Sequence, residues 1–358
     1  MSRARLVLLA LLPLFTATPV LAEPAVETIA DDLHHPWALA FLPDGDLLVT
    51  ERRGRLLRLE ADGSGRTEIA GVPEVDHRNQ GGLLDVALHP EFAENRRVYL
   101  TWAGRCDGGN ATHVGSGRLE GDELRDFETL FVAKPCVDSG IHFGSRLAFD
   151  RDGYLFMTVG DRGERDRAQD LADLNGSVLR LHDDGRIPED NPFVDRDDAE
   201  GAIYSYGHRN PQGAATHPQT GRVWIHEHGP RGGDEINIPA AGENFGWPIQ
   251  TYGREYHGPE IAPGEVEGVT GPIHHWTPSI APSGMAFHER NEQITLFVGA
   301  LAKRHLARLE LDDETVVSEE RWLTDRGWRI RAVETGPDGA LWLLTDHADG
   351  RLLRLATD

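Results

Sequence analysis

Short apolar runs separated by polar turns recur along most of this chain, and the same arrangement appears six times. Each copy has a short apolar strand, a turn, and a second apolar strand that ends in a polar loop. The copies begin at Ala38, Asp85, Leu147, Ala214, Gly284 and Val333. Three of them continue into a third apolar segment, at residues 55–59, 306–311 and 351–355. The pattern predicts a series of β-hairpins.

The spacing of the copies predicts how these hairpins assemble. The copies recur at roughly fifty to seventy residues, in the range of propeller blades with loop insertions. One such unit cannot bury both faces of its sheet, whereas radial stacking of several units can. We therefore expect an all-β, six-bladed β-propeller that forms a single domain over residues 23–358. A β-sandwich is the alternative, and a parallel β-helix would need much shorter coils. The helical signal is weak outside residues 166–174.

The N-terminal residues predict the cellular compartment. Arg3 and Arg5 precede an apolar stretch, and Val20-Leu21-Ala22 has the small residues of a cleavage site. This is the pattern of a secretory signal peptide over residues 1–22, so we expect a periplasmic or secreted protein. No later stretch approaches the ~20 apolar residues that a membrane span requires.

The charge of the chain bears on its binding partners, and its cysteines predict a disulfide. The formal net charge of -23 argues against nucleic acid as a partner, because its phosphates would be repelled. The two cysteines, Cys106 and Cys136, favour a disulfide in an exported protein, and two free buried thiols are the alternative. They do not form a C-x-x-C motif, which argues against redox catalysis by cysteine.

Polar residues cluster at the ends of the copies, where propeller loops converge on the central channel. In the third copy, His142 precedes the outgoing strand and Asp161 follows the returning strand, so the hairpin should bring an imidazole and a carboxylate together. A lone histidine beside a strand is more often structural, but other polar loops accompany this one. They are residues 78–82, 207–213 and 227–235, and a late basic group of Lys303, Arg304, Arg329 and Arg331.

The candidate metal ligands favour a hard cation. His226-Glu227-His228 is not the H-E-x-x-H motif of zinc enzymes, and residues 195–206 lack the bidentate Glu that ends an EF-hand loop. Backbone carbonyls around Gly229 and Pro230, together with Glu235, offer oxygen ligands. Such ligands suit Ca²⁺ better than a soft metal.

Four segments in this order resemble the soluble sugar dehydrogenases that depend on pyrroloquinoline quinone (PQQ), and most closely the periplasmic aldose sugar dehydrogenases. The segments are HFGSRLAFD with TVGDRG, YGHRNPQG, EHGP with GDEIN, and the late Lys303 with Arg329-Ile330-Arg331. The likeness covers nearly the whole mature chain. The fold of that family is a six-bladed propeller, in agreement with the repeats.

The resemblance implies oxidation of an aldose at C1 to the lactone, by hydride transfer to PQQ in a Ca²⁺-dependent site, with electrons passed to an external acceptor. It implies that His142 is the general base, that Asp161 orients it, that Arg209 stabilises negative charge on the quinone oxygen, and that Gln80 lines the pocket. The resemblance implies that PQQ is bound by Asn210, Lys303, Arg329 and Arg331. It implies that the carbonyls of Gly229 and Pro230 bind the catalytic Ca²⁺, and that Glu235 and the backbone of Phe245 bind a further Ca²⁺. It also implies that Trp276 lies near the sugar.

The residue types suit this chemistry. PQQ carries three carboxylates, which arginine side chains can bind through paired hydrogen bonds even in an acidic protein. The chain is shorter than the glucose dehydrogenases proper, which predicts a broader aldose site and a monomer or homodimer. The alternatives are a Ca²⁺-dependent propeller lactonase and a non-enzymatic binding propeller. A lactonase has no use for the basic side chains of Lys303, Arg329 and Arg331. A binding propeller leaves the set of Gln80, His142, Asp161 and Arg209 unexplained.

Overall fold

The structure, a computed structural model, describes residues 24–262 and 264–356 and confirms the all-β six-bladed propeller. Its 24 strands form six four-stranded antiparallel sheets, and the first strands of neighbouring sheets contact one another around the ring. The signal peptide predicted for residues 1–22 lies outside the described residues. Within the described range, no helix is long and apolar enough to cross a membrane.

The strands follow the chain from blade to blade. The N-terminal strand is β1 (Val26–Leu33), which joins the last blade. Blade 1 contains β2 (Pro36–Phe41), β3 (Leu47–Glu51), β4 (Arg55–Leu59) and β5 (Arg66–Ile69). Blade 2 contains β6 (Leu83–Leu88), β7 (Arg97–Cys106), β8 (Gly109–Glu120) and β9 (Glu123–Val132). Blade 3 contains β10 (Leu147–Phe149), β11 (Leu155–Val159), β12 (Ser177–Leu181) and β13 (Ile203–Tyr206).

The second half of the ring repeats this plan. Blade 4 contains β14 (Pro211–Thr216), β15 (Val223–Glu227), β16 (Asp234–Asn237) and β17 (His274–Trp276). Blade 5 contains β18 (Pro282–Arg290), β19 (Gln293–Ala300), β20 (Leu306–Asp312) and β21 (Thr315–Trp322). Blade 6 contains β22 (Ile330–Thr335), β23 (Leu341–Thr345) and β24 (Gly350–Leu355). One helical turn, α1 (Phe92–Asn95), joins β6 to β7, and a 3₁₀ helix (Arg165–Gln169) occupies part of the weak helical segment noted in the sequence.

Two features close and fill the ring. Strand β1 pairs antiparallel with β24, so the last blade is completed by the N-terminal strand. Six apolar clusters lie between the blades, one at each interface, and they bury both faces of the inner strands. Fully buried strands such as β3, β11 and β23 therefore appear as continuous apolar runs.

A disulfide joins Cys106 and Cys136, as the sequence predicted. The bond links the end of β7 to the segment that follows β9, and so encloses the long β8–β9 pair of blade 2. The described residues contain no free cysteine.

One buried arginine connects most of the blades at the propeller axis. Arg146, immediately before β10, donates Nε to the Gln212 carbonyl (2.8 Å), Nη1 to Asp85 Oδ1 (3.1 Å) and Nη2 to the Arg331 carbonyl (3.2 Å). Its guanidinium carbon also lies 3.9 Å from the ring centroid of Trp37. These partners come from blades 4, 2, 6 and 1, so one side chain links five blades.

We expect Arg146→Met to lower the free energy of unfolding by about 3–5 kcal/mol, because it leaves the Asp85 carboxylate buried and unpaired. Denaturant unfolding followed by tryptophan fluorescence measures the change. The double variant Asp85→Asn/Arg146→Met should recover part of the loss. The control Arg118→Met removes an exposed ion pair and should cost at most about 1 kcal/mol. A loss for Arg146→Met as small as the control's would contradict the bridging role.

Candidate active site

The predicted residues converge where the chain enters the innermost strands. His142 precedes β10, Arg209 and Asn210 precede β14, and Gln80 precedes β6. Hydrogen bonds join these entry loops: the Gln80 Oε1 atom accepts from the His142 amide (2.9 Å), and Asn210 Oδ1 accepts from the Gly144 amide (3.2 Å). The structure thus brings residues from three blades to one end of the channel.

The β10–β11 hairpin places His142 against Asp161, as the sequence predicted. The His142 Nδ1 atom lies 2.6 Å from Asp161 Oδ1, and both side chains are buried. Asp161 Oδ1 also accepts from the Gly163 amide (2.7 Å), and Asp161 Oδ2 accepts from Trp247 Nε1 (2.8 Å). The carboxylate is therefore fixed from several directions and holds the imidazole in one orientation.

The electrostatics of this pair favour a neutral imidazole beside an ionised carboxylate. Burial lowers the pKa of His142 and outweighs the opposing effect of Asp161, while Arg209 lowers it further. Burial alone would raise the pKa of Asp161, but the hydrogen bond with His142 and neighbouring donors hold it below its usual value. An ionised carboxylate can only accept, so Nδ1 carries the proton and the lone pair lies on Nε2. No described residue makes a hydrogen bond to Nε2, which is free to accept a proton.

Arg209 lies beside this pair and is itself buried. Its Nη1 atom donates to the carbonyls of His228 (3.1 Å) and Gly229 (3.2 Å), and its guanidinium carbon lies 5.3 Å from the Trp247 ring centroid. Its backbone amide donates to Glu227 Oε2 (2.5 Å). Arg209 thus links the predicted base to the segment with the predicted metal ligands.

One carboxylate, that of Asp346, binds the two arginines Arg329 and Arg331 of the late basic group. Asp346 Oδ2 accepts from Nη2 of Arg329 and from Nη2 of Arg331, each at 3.1 Å, and Asp346 Oδ1 lies 3.0 Å from His35 Nδ1. Burial would raise the pKa of Asp346, but Arg331, His35 and Arg329 hold it well below its usual range. Lys303 is exposed on the β19–β20 loop, two residues after the Leu301 carbonyl to which Arg329 Nη1 donates (3.1 Å).

A chain of hydrogen bonds joins the basic group to the rest of the site. Arg331 Nη1 donates to Gln212 Oε1 (2.9 Å), and Gln212 Nε2 lies 3.5 Å from Asn210 Oδ1. Burial lowers the pKa of Arg331 to about 10, so its guanidinium stays charged at neutral pH. Its Nε atom is buried without a hydrogen-bond partner among the described residues. That orphaned donor is suited to an anionic ligand.

The predicted metal ligands form two oxygen-rich places. The Gly229 carbonyl faces Arg209, and the Gly229 amide donates to Asp234 Oδ1 (2.9 Å). Glu235 pairs with Glu227 across β15 and β16, and Asn237 Nδ2 donates to both carboxylates (3.3 and 3.1 Å). The described residues contain no group of three or more His, Cys, Asp or Glu side chains that could hold a metal ion. A cation here would need backbone or amide oxygens in addition.

The Glu227–Glu235 pair is energetically costly without a cation. Burial, and then the charge of Glu227, raise the pKa of Glu235 well above its usual value. Asn237 Oδ1 is buried with no hydrogen-bond partner in the described chain. Phe245 stacks on His208 at 4.9 Å between ring centroids, and His208 Nδ1 lies 2.8 Å from Glu227 Oε1. The donor set therefore fits a hard cation.

The sequence missed several residues of the site, and its prediction for Trp276 stays a prediction. Trp276 is buried on the outermost strand β17, and its Nε1 donates to Glu319 on β21 (3.0 Å). It packs in the apolar cluster between blades 4 and 5. The tryptophan that contacts the site is Trp247, in the ENFGWP segment. Asp346 was also missed and Glu227 was given no role of its own, since no local motif marks a carboxylate that organises distant arginines or amides.

Comparisons with known proteins give matches in sequence and in fold over nearly the whole chain. Residues 33–354 match the sequence model of the glucose/sorbosone dehydrogenase family. The chain is 47% identical, over 361 residues that cover 97% of each protein, to the aldose sugar dehydrogenase YliI of Escherichia coli K12. The crystal structure of the soluble E. coli aldose sugar dehydrogenase in the apo-form superposes with a TM-score of 0.90, at 46% identity over 93% of this chain and 99% of that one. The PQQ-bound aldose sugar dehydrogenase of Streptomyces coelicolor superposes with a TM-score of 0.77, at 30% identity over 95% and 100% of the two chains.

We expect the His142 imidazole to titrate below the ordinary histidine pKa of 6.5, and Asp161→Asn to lower its pKa further. The reason is that Asp161 favours the protonated ring, so its removal favours the neutral form. Nitrogen-15 NMR of the histidine rings across a pH series measures both values. The control Asp183→Asn removes the exposed partner of His89 and should leave the His142 titration unchanged. A higher pKa in Asp161→Asn would contradict the assigned electrostatics.

Proposed function

This chain belongs to the glucose/sorbosone dehydrogenase family and is an oxidoreductase, and we propose that it oxidises aldose sugars at C1 to lactones with PQQ and Ca²⁺ as cofactors. The observation that carries the proposal is the buried His142–Asp161 pair beside Arg209, at the end of the channel that also holds Arg329 and Arg331. A base and a concentrated positive charge are what removal of a hydroxyl proton and binding of a tricarboxylate require.

His142 acts as the general base. Its Nε2 lone pair accepts the proton of the C1 hydroxyl, and the resulting imidazolium is stabilised by Asp161 at 2.6 Å. Trp247 and the Gly163 amide hold Asp161 in place, so the ring does not have to reorient during proton transfer. Gln80 fixes the backbone of His142 from the opposite loop.

The cations at the channel end would hold the cofactor. Arg331, Arg329 and Lys303 would bind its carboxylates, and the unpaired Arg331 Nε would supply one of the donors. Asn210 adds an amide to the same wall, next to the Gly144 amide. When bound, PQQ supplies the hydride acceptor, and Ca²⁺ supplies Lewis acidity at the quinone oxygen. Arg209 places a fixed positive charge where negative charge develops.

The calcium ligands follow from the two oxygen-rich places. The carbonyls of Gly229 and Pro230 would hold the catalytic ion, next to the Arg209 guanidinium. Glu235 would hold a further ion with the backbone of Phe245, and its neighbour Glu227 adds negative charge there. A bound cation would stabilise two buried carboxylates that otherwise repel each other.

The disulfide supports the proposal that the mature protein, residues 23–358, works in the periplasm or outside the cell, because disulfides persist in oxidising compartments. There it passes electrons from the reduced cofactor to an external acceptor.

We expect the purified protein to reduce a redox dye with aldoses only after addition of both PQQ and Ca²⁺. His142→Ala should lower kcat by about 10²–10⁴-fold, since it removes the base, while PQQ absorbance shows that the cofactor is still bound. His89→Ala, on the far side of blade 2, is the matched control. Full turnover in His142→Ala would refute the base assignment. Failure of the wild-type protein to bind PQQ would favour a lactonase.

We expect Lys303→Met to weaken PQQ binding by about ten- to a hundredfold, the loss of one charge-assisted hydrogen bond. Arg304→Met is the matched control, because Arg304 is the adjacent exposed cation. Fluorescence titration of each protein with PQQ in the presence of Ca²⁺ gives the affinities. Equal affinities for the two variants would show that Lys303 does not contact the cofactor.

A further inference from the structure

A small hairpin between β16 and β17 projects an aromatic side chain beside the proposed site. Its ends are joined by hydrogen bonds from the Thr251 amide to the Ala262 carbonyl (3.3 Å) and from the Glu255 amide to the Pro259 carbonyl (2.9 Å). We call residues 251–262 the Tyr256 hairpin, since Tyr256 lies in its tip. Tyr256 is 57% exposed, which is high for a large and partly apolar residue.

Two arginines anchor the tip of the Tyr256 hairpin. Arg165, in the 3₁₀ helix of blade 3, donates to both carboxylate oxygens of Glu255 (2.8 and 3.3 Å). Arg231 donates to the Tyr256 carbonyl (3.0 Å). The Tyr256 hydroxyl lies 3.5 Å from Arg209 Nη2. The backbone is therefore held on both sides, and the ring stands next to the arginine to which we assign charge stabilisation.

The faces of the Tyr256 ring are unoccupied by other rings of the described chain. The other strongly exposed tyrosine, Tyr252, stacks on His275 at 4.0 Å between centroids, so one of its faces is covered. No comparable ring contact involves Tyr256. An anchored and exposed aromatic side chain that stacks on no other ring of the described chain, beside a proposed sugar site, is suited to stacking on a ligand.

We propose that Tyr256 binds the substrate by stacking on the apolar face of an aldopyranose whose ring hydroxyls are equatorial. Equatorial hydroxyls leave axial C–H bonds on the two faces of the sugar, and these pack against an aromatic ring. An axial hydroxyl interrupts one face and weakens the contact. The inference rests on the proposed aldose dehydrogenase activity and names the substrate class that this site prefers.

The test compares three substitutions at one position in the PQQ- and Ca²⁺-loaded protein. Tyr256→Ala should raise KM for glucose by roughly three- to tenfold, with kcat within about twofold of the wild type. Tyr256→Leu keeps apolar bulk but has no flat face, so its KM should rise nearly as much. Tyr256→Phe keeps the ring and should retain the wild-type KM. For galactose, whose 4-hydroxyl is axial, the three variants should differ less.

The outcomes separate this inference from the proposed function. A wild-type protein that binds PQQ but oxidises no aldose would overturn both. A wild-type protein that oxidises glucose, with unchanged KM in Tyr256→Ala and Tyr256→Leu, would overturn only the stacking role. A KM increase in Tyr256→Phe equal to that in Tyr256→Ala would assign the effect to the hydroxyl near Arg209 and also overturn stacking. Titration with PQQ should give the same affinity for all four proteins, which excludes an indirect effect through the cofactor.

Discussion

The buried Arg146 guanidinium at the propeller axis is the interaction on which both the ring and the site depend. Removing a guanidinium from water is costly, and here the cost is offset by a carboxylate, two backbone carbonyls and an aromatic face. The two carbonyls belong to Gln212 and Arg331, whose side chains are hydrogen-bonded to each other. Arg146 therefore fixes the blade spacing and the backbone of the basic group with the same contacts.

The candidate site concentrates positive charge within a protein of net charge -23. Arg329 and Arg331 repel each other, and Asp346 compensates only part of their charge, since one carboxylate serves both guanidinium groups. At Glu227 and Glu235 two buried carboxyl groups lie across adjacent strands, and burial together with the charge of Glu227 raises the pKa of Glu235. Uncompensated charge and strongly shifted carboxyl pKa values are both typical of places that bind an ionic ligand, and the chain has the first at the arginines and the second at Glu235.

The parts that the sequence could predict are those governed by local pattern. The second strand of each blade is largely buried on both faces, so its apolar run is visible, and hairpin geometry alone placed His142 beside Asp161. The outermost strands were not predicted, because strands such as β5 are mostly exposed and carry little apolar signal. Closure of the ring by β1 depends on contacts more than 300 residues apart in the chain, beyond any local pattern. The contact of Trp247 with Asp161 has the same cause, since the two residues are 86 apart in the chain and no local pattern pairs them.

The connection between β16 and β17 shows how the site is divided between scaffold and loops. The proposed base His142, Asp161 and the arginine Arg331 stand at the ends of inner strands, where blade packing fixes them. The segment from residue 238 to 273 instead contributes Trp247 against Asp161, Phe245 beside the Glu227 cluster and Tyr256 beside Arg209. This one connection thus contacts Asp161, the His208 ring beside Glu227 and the Arg209 guanidinium. Because its tip is fixed by Arg165 and Arg231 and not by strand packing, the residue at the tip can change without disturbing the blades. Selectivity among aldoses can therefore vary independently of the chemistry, which remains fixed by the propeller axis.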